Sequence, residues 1–120
     1  MERAKEIIET LAEQDGVNLA MIVSRDGFIL ELGAEREAPQ EPETVGAAVS
    51  TYWSTVDAMG GELAAEVGLN SIVEFRGALL ATSLLVQEDL ILTVVADPQM
   101  NPATIRYLTC KFSELLETLL

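Results

Sequence analysis

At 120 residues, 49% of them hydrophobic and with a mean hydropathy of +0.27, the chain holds enough apolar material for the core of one domain, expected to span residues 1–120. Its formal charge of -13, from 20 acidic and 7 basic residues, repels phosphate backbones and anionic headgroups, so nucleic acid and membrane surfaces are not expected partners; its hydropathy also argues against an acidic disordered chain. The lone Cys110 allows no internal disulfide, no signal-peptide pattern opens the chain, and the longest apolar stretch, Ala78 to Val86, falls far short of the ~20 residues that cross a bilayer, so the expected address is cytoplasmic.

The first predicted element is an amphipathic helix from Glu2 to Glu13, with Ala4, Ile7, Ile8 and Leu11 on one face and Gly16 suited to its C-terminal cap. Val17 to Ser24 and Phe28 to Leu32 are apolar runs separated by Arg25-Asp26-Gly27, which predicts a β-hairpin. Gly33 to Glu43 has two prolines, four glutamates and no apolar period, so it reads as an exposed connection.

A long helix fits Pro42 to Val67, with Pro42 in the first turn and Gly68 just past the end. Its expected core stripe is Val45, Val49, Tyr52, Val56, Met59, Leu63 and Val67. Three strands follow, Ser71 to Arg76, Ala78 to Val86 and Leu90 to Ala96, with turns at Gly77 and at Gln87-Glu88-Asp89. The last helix opens with Asn101 as N-cap and Pro102 in the first position, then carries Ile105, Leu108, Phe112, Leu115, Leu116 and Leu119 on one face. Because the first and last strands are the most apolar, they are expected to lie centrally, covered on both faces by helices in a helix-sheet-helix sandwich.

The middle helix is unusual in an acidic chain, since no charged residue occurs from Val45 through Val56. Gly46, Ser50, Trp53, Asp57, Gly60, Gly61 and Ala64 recur at three- and four-residue steps, with Gly61 one position off, on a second face of mostly small side chains. An interior glycine costs a helix roughly 0.8–1 kcal/mol relative to alanine, so Gly60 and Gly61 call for an offsetting contact if the helix is continuous. A partner helix of a second copy is the favoured source. The alternative is that Gly60-Gly61 breaks the helix and Trp53 belongs to the core.

The absence of histidine rules out the usual catalytic triads and the Cys/His zinc sites, and no phosphate-binding loop, nucleophile elbow or dinucleotide fingerprint occurs. No catalytic, cofactor-binding or metal-binding residue is therefore assigned. Asp26, Glu88 and Asp89 read as turn residues, and Arg25, Arg76 and Arg106 as surface or ion-paired arginines, in preference to arginines inserted into a partner's active site. Cys110 has no neighbouring histidine and reads as a bystander.

The hairpin LAMIVSRDGFIL, the helix ending AAEVGL, and above all the segment IVEFRGALLATSLLVQEDLILTVVADPQMNPATIRYLT resemble the roadblock or dynein light chain family, to which the gliding regulator MglB belongs, over nearly the whole chain. The resemblance implies an α+β fold: a three-layer α/β/α sandwich whose five-stranded antiparallel sheet has the order 2-1-5-4-3, with the long helix on one face and two helices on the other. It also implies a homodimer through the long helix and through the third strand, here Ser71, Ile72, Val73, Glu74 and Phe75. The implied role is that of a non-enzymatic scaffold or regulator binding a small Ras-like GTPase. An adaptor that tethers other proteins without a GTPase, and a GTPase activator of MglB type, are the alternatives. MglB-type activators use C-terminal extensions to engage the GTPase, and this sequence runs no further than its third helix, which favours the scaffold.

Overall fold

The computed structural model describes residues 2–33, 39–87 and 89–119. Its elements run α1 (Glu2–Ala12), β1 (Val17–Ser24), β2 (Ile29–Gly33), α2 (Pro42–Glu62), β3 (Asn70–Glu74), β4 (Leu79–Leu85), β5 (Leu90–Ala96) and α3 (Pro102–Glu117). Residues 34–38 of the expected connection, and Glu88 at the expected β4–β5 turn, lie outside the described residues.

The five strands form one antiparallel sheet in the order β2-β1-β5-β4-β3. Alternation along each strand sends successive side chains to opposite faces, and both faces of the three middle strands are buried. On one side Ala20, Ile22, Ala81, Leu85, Leu92 and Val94 pack with Ile8 and Leu11 of α1 and with Ile105, Phe112 and Leu116 of α3. On the other, Leu19, Met21, Val23, Leu84, Ile91 and Val95 pack with Val45, Val49 and Trp53 of α2. The expected strand order, the central placement of the first and last strands, and the division of two helices against one are all present.

Helix α3 starts as its sequence dictates: Pro102 needs no N–H partner in the first turn, and Asn101 Oδ1 accepts a hydrogen bond from the Ala103 N–H at 2.9 Å. Helix α2 does not end where Gly68 suggested. It stops at Glu62, because the Ala65 N–H reaches the Gly60 carbonyl at 2.8 Å and the Ala64 N–H reaches the Gly61 carbonyl at 3.2 Å, the paired bonds of a Schellman cap. Ala64 holds the left-handed position of that cap, at φ 54°, where glycine is usual. Gly60-Gly61 therefore lies in the last turn of a helix that ends one residue later, and the continuation to Val67 is corrected.

Candidate functional site

The arrangement of α2 on the sheet decides which of its residues face outward. Val49 and Trp53 are fully buried, Val45 and Gly46 are buried at the helix start, and Tyr52 and Val56 are half-buried. Met59, Leu63 and Val67, expected in the core stripe, are instead 55%, 71% and 54% exposed. The buried stripe is thus turned towards the Gly46–Ser50–Trp53 side of the helix relative to the expected one.

Local chemistry explains that turn. Trp53 Nε1 donates to Thr82 Oγ1 at 2.9 Å, and Thr82 Oγ1 lies 2.8 Å from Ser71 Oγ, so the indole N–H is satisfied inside the core beneath α2. At Gly46 an added Cβ would stand 2.8 Å from the Gly27 carbonyl oxygen, so the absent side chain is what lets the hairpin tip approach the helix. Ser50 Oγ donates to the Arg25 carbonyl at 2.6 Å and ties the same tip to the next turn of α2.

Arg25 completes the attachment. Its Nη1 meets Asp57 Oδ2 at 2.6 Å, its Nε meets Asp89 Oδ1 at 2.9 Å, and its guanidinium lies 5.6 Å from the centroid of the Trp53 ring. Partial burial works against its charge, but the hydrogen bonds and attraction of Asp57 and Asp89 outweigh it and hold the guanidinium above its ordinary range. Any stability from that shift is present at every pH below arginine's ordinary range and is lost only as pH rises through the still higher folded value. Arg25 therefore joins the hairpin tip, α2 and the β4–β5 turn through two ion pairs and is not held out for insertion elsewhere.

Of the residues expected at a partner-facing surface, Gly46 and Trp53 are enclosed by the chain's own core, Ser50 is half-buried against the hairpin, and Asp57 is engaged by Arg25. Gly60 is also accounted for within the chain, since a Cβ there would fall on the Glu66 carbonyl oxygen, whereas Gly61 has open space beside it and Ala64 is exposed. On the edge strand β3, Ser71, Ile72 and Val73 are half-buried and Glu74 is exposed, as is Phe75 just past its end.

The outward face of α2 is a different set that the sequence pattern missed: Thr44, Ala47, Ala48, Thr51, Ser54, Thr55, Ala58 and Met59 are all exposed and uncharged. The Thr51 and Thr55 hydroxyls turn back to the carbonyls of Ala47 and Thr51, at 3.2 and 3.3 Å, which satisfies their polarity within the helix. Beside this face a groove of about 540 Å³ runs between the start of α2 and the β3–β4 hairpin, lined by Thr44, Val45, Ala48, Phe75, Ala78, Leu80 and Val95 among others. Leu63, Val67 and Leu69, past the other end of α2, are further exposed apolar residues. The signal for this face is a second set of three- and four-residue steps from Thr44, which lacks the glycines that mark the Gly46–Ser50–Trp53 stripe.

Among the described residues no group of three or more His, Cys, Asp or Glu side chains is placed to hold a metal ion, and no helix is long and apolar enough to cross a membrane. Cys110 is half-buried and unpaired by any disulfide.

No protein-family model matches the chain, and no curated protein matches its sequence. Solved structures do match its fold. The Roadblock/LC7 domain from Streptomyces avermitilis superposes with a TM-score of 0.81 at 17% identity, over 96% of this chain and 95% of that one. The gliding protein MglB from Thermus thermophilus gives 0.86 at 20% identity over 98% and 87%, and an MglB in a tetrameric arrangement gives 0.86 at 19% identity over the same shares. The chain therefore has the roadblock, MglB-like fold.

Proposed function

We propose that this chain is a homodimeric, non-enzymatic scaffold that binds a small Ras-like GTPase and sets its activity or location. The observation that carries the reading is the exposed, uncharged face of α2 from Thr44 to Met59, continuous with the apolar groove and with the free β3 edge. In a chain with a net charge of -13, a face without charge is where a second copy meets least repulsion. The dimer surface is accordingly redrawn to Ala47, Ala48, Thr51, Thr55, Ala58 and Met59 together with Ser71 to Phe75, and Gly46 and Trp53 leave it. The similar MglB in a tetrameric arrangement supports association as a habit of the fold.

The GTPase half of the reading draws on the roadblock fold and is tested by binding. Purified protein is titrated into Ras-like GTPases loaded with GDP or with a non-hydrolysable GTP analogue, and hydrolysis is followed in parallel. The expected result is saturable binding with a preference between the two nucleotide states and an unchanged hydrolysis rate. Accelerated hydrolysis would replace the scaffold with an activator of MglB type, and no binding in either state would leave an adaptor without a GTPase.

A further inference from the structure

Among the described residues the sheet has two unpaired edges, and they differ in chemistry. β3 belongs to the surface assigned above to a second copy. At the opposite end β2 pairs only with β1 among the described residues, and it exposes three large apolar side chains in and beside the strand: Phe28 at 72%, Leu30 at 51% and Leu32 at 39%. Proteins commonly guard such an edge with lysine, proline or a bulge. Here a register shift falls opposite Leu30 and Glu31 places a charge within the strand, both of them guards of this kind, while ILELG contains neither lysine nor proline.

Glu31 sits between the two exposed leucines. It is paired with Ile22, whose side chain packs on the α1 and α3 face of the sheet, so Glu31 points to that face while Leu32, paired with Met21, points to the α2 face. The Glu31 Oε2 atom is shut off from solvent and has no hydrogen-bond partner among the described residues. A strand added to β2 would place one residue opposite Glu31 on the same face, within reach of its carboxylate, and apolar residues against Leu30 and Leu32. A lysine or arginine opposite Glu31 brings an opposite charge to its carboxylate. A second copy does not, because its own edge brings the same glutamate and the same net charge of -13.

From this we propose that the β2 edge is a strand-addition site for an extended segment of a partner protein in which apolar and basic residues alternate, the basic one opposite Glu31. The site lies on the other edge of the sheet from the proposed dimer surface, so each reading stands or falls by its own measurement.

The test uses three capped ten-residue peptides: alternating valine and lysine, alternating valine and glutamate, and the valine–lysine peptide with a central proline. Binding is titrated at physiological ionic strength, and amide hydrogen exchange is read residue by residue. The expected result is that the valine–lysine peptide binds and slows exchange at Ile29 to Gly33, while the glutamate and proline peptides do not. E31K, checked for folding by circular dichroism, lowers affinity for the lysine peptide about fivefold and gains the glutamate peptide, as expected for a reversed cross-strand pair. If E31K does not fold, E31Q must erase the preference for lysine over glutamate. Protection at β3 or spread over the acidic surface, equal binding of the proline peptide, no binding, or an unchanged preference in the Glu31 variants would each overturn the proposal. So would protection of Ile29 to Gly33 that grows with protein concentration alone, which would place a second copy on this edge.

Discussion

Thr82 and Thr93 are directly paired neighbours on β4 and β5, both fully buried, and they do opposite things for the core beneath α2. The Thr82 hydroxyl accepts the Trp53 N–H and meets Ser71, whereas Thr93 Oγ1 has no partner among the described residues. Replacing Thr82 by valine strands a buried indole N–H and is expected to cost about 1–3 kcal/mol, while Thr93→Val removes an unsatisfied hydroxyl at nearly constant shape and is expected to be neutral or stabilising by up to about 1 kcal/mol. Urea denaturation followed by fluorescence of the single tryptophan reads both, and equal losses would contradict the assignment. This pairing was not legible in the sequence: Trp53 sits at helical spacing on both the valine stripe and the small-residue stripe, and only the position of Thr82 across the sheet decides which face turns inward. Arg25 was legible as an ion-paired arginine, but its partners stand 32 and 64 residues away, a separation that no local pattern encodes.

At the scale of elements, strands and helix starts were readable because each depends on local chemistry. The β1 boundaries follow its apolar run, and the α3 start follows Asn101-Pro102. The end of α2 was misplaced for an equally local reason. Its left-handed cap position is filled by Ala64 rather than glycine, so the usual signal is absent and Gly68, beyond the end, supplied a false one. An alanine at positive φ is strained, so Ala64→Gly is expected to raise stability by about 0.5–1 kcal/mol, net of the extra freedom glycine gains in the unfolded chain. Thermal unfolding checks it: a melting temperature at or below that of the parent would argue against the cap. Gly60 answers the same constraint, since a side chain there meets the Glu66 backbone, and Gly60→Leu would disturb the cap before it tested any interface.

For the molecule as a whole, the three-layer sandwich and its strand order were available from the resemblance and from apolar patterning together, because buried strands and amphipathic helices announce their faces. The surfaces were not, since an outward face shows in sequence only as missing charge, and missing charge from Val45 to Val56 marks the helix without saying which side of it is outward. Folding resolves this by spending Gly46, Ser50, Trp53 and Asp57 on holding α2 to the hairpin and leaving Ala47, Ala48, Thr51, Thr55 and Ala58 outside. The most direct test of that assignment is sedimentation equilibrium of the parent chain beside Ala48→Arg and Thr51→Arg, both on exposed positions where a long side chain need not disturb the fold. A parent species at twice the 13.0 kDa chain mass and folded monomers for both variants are expected; a monomeric parent, or variants that remain dimers, would contradict that assignment.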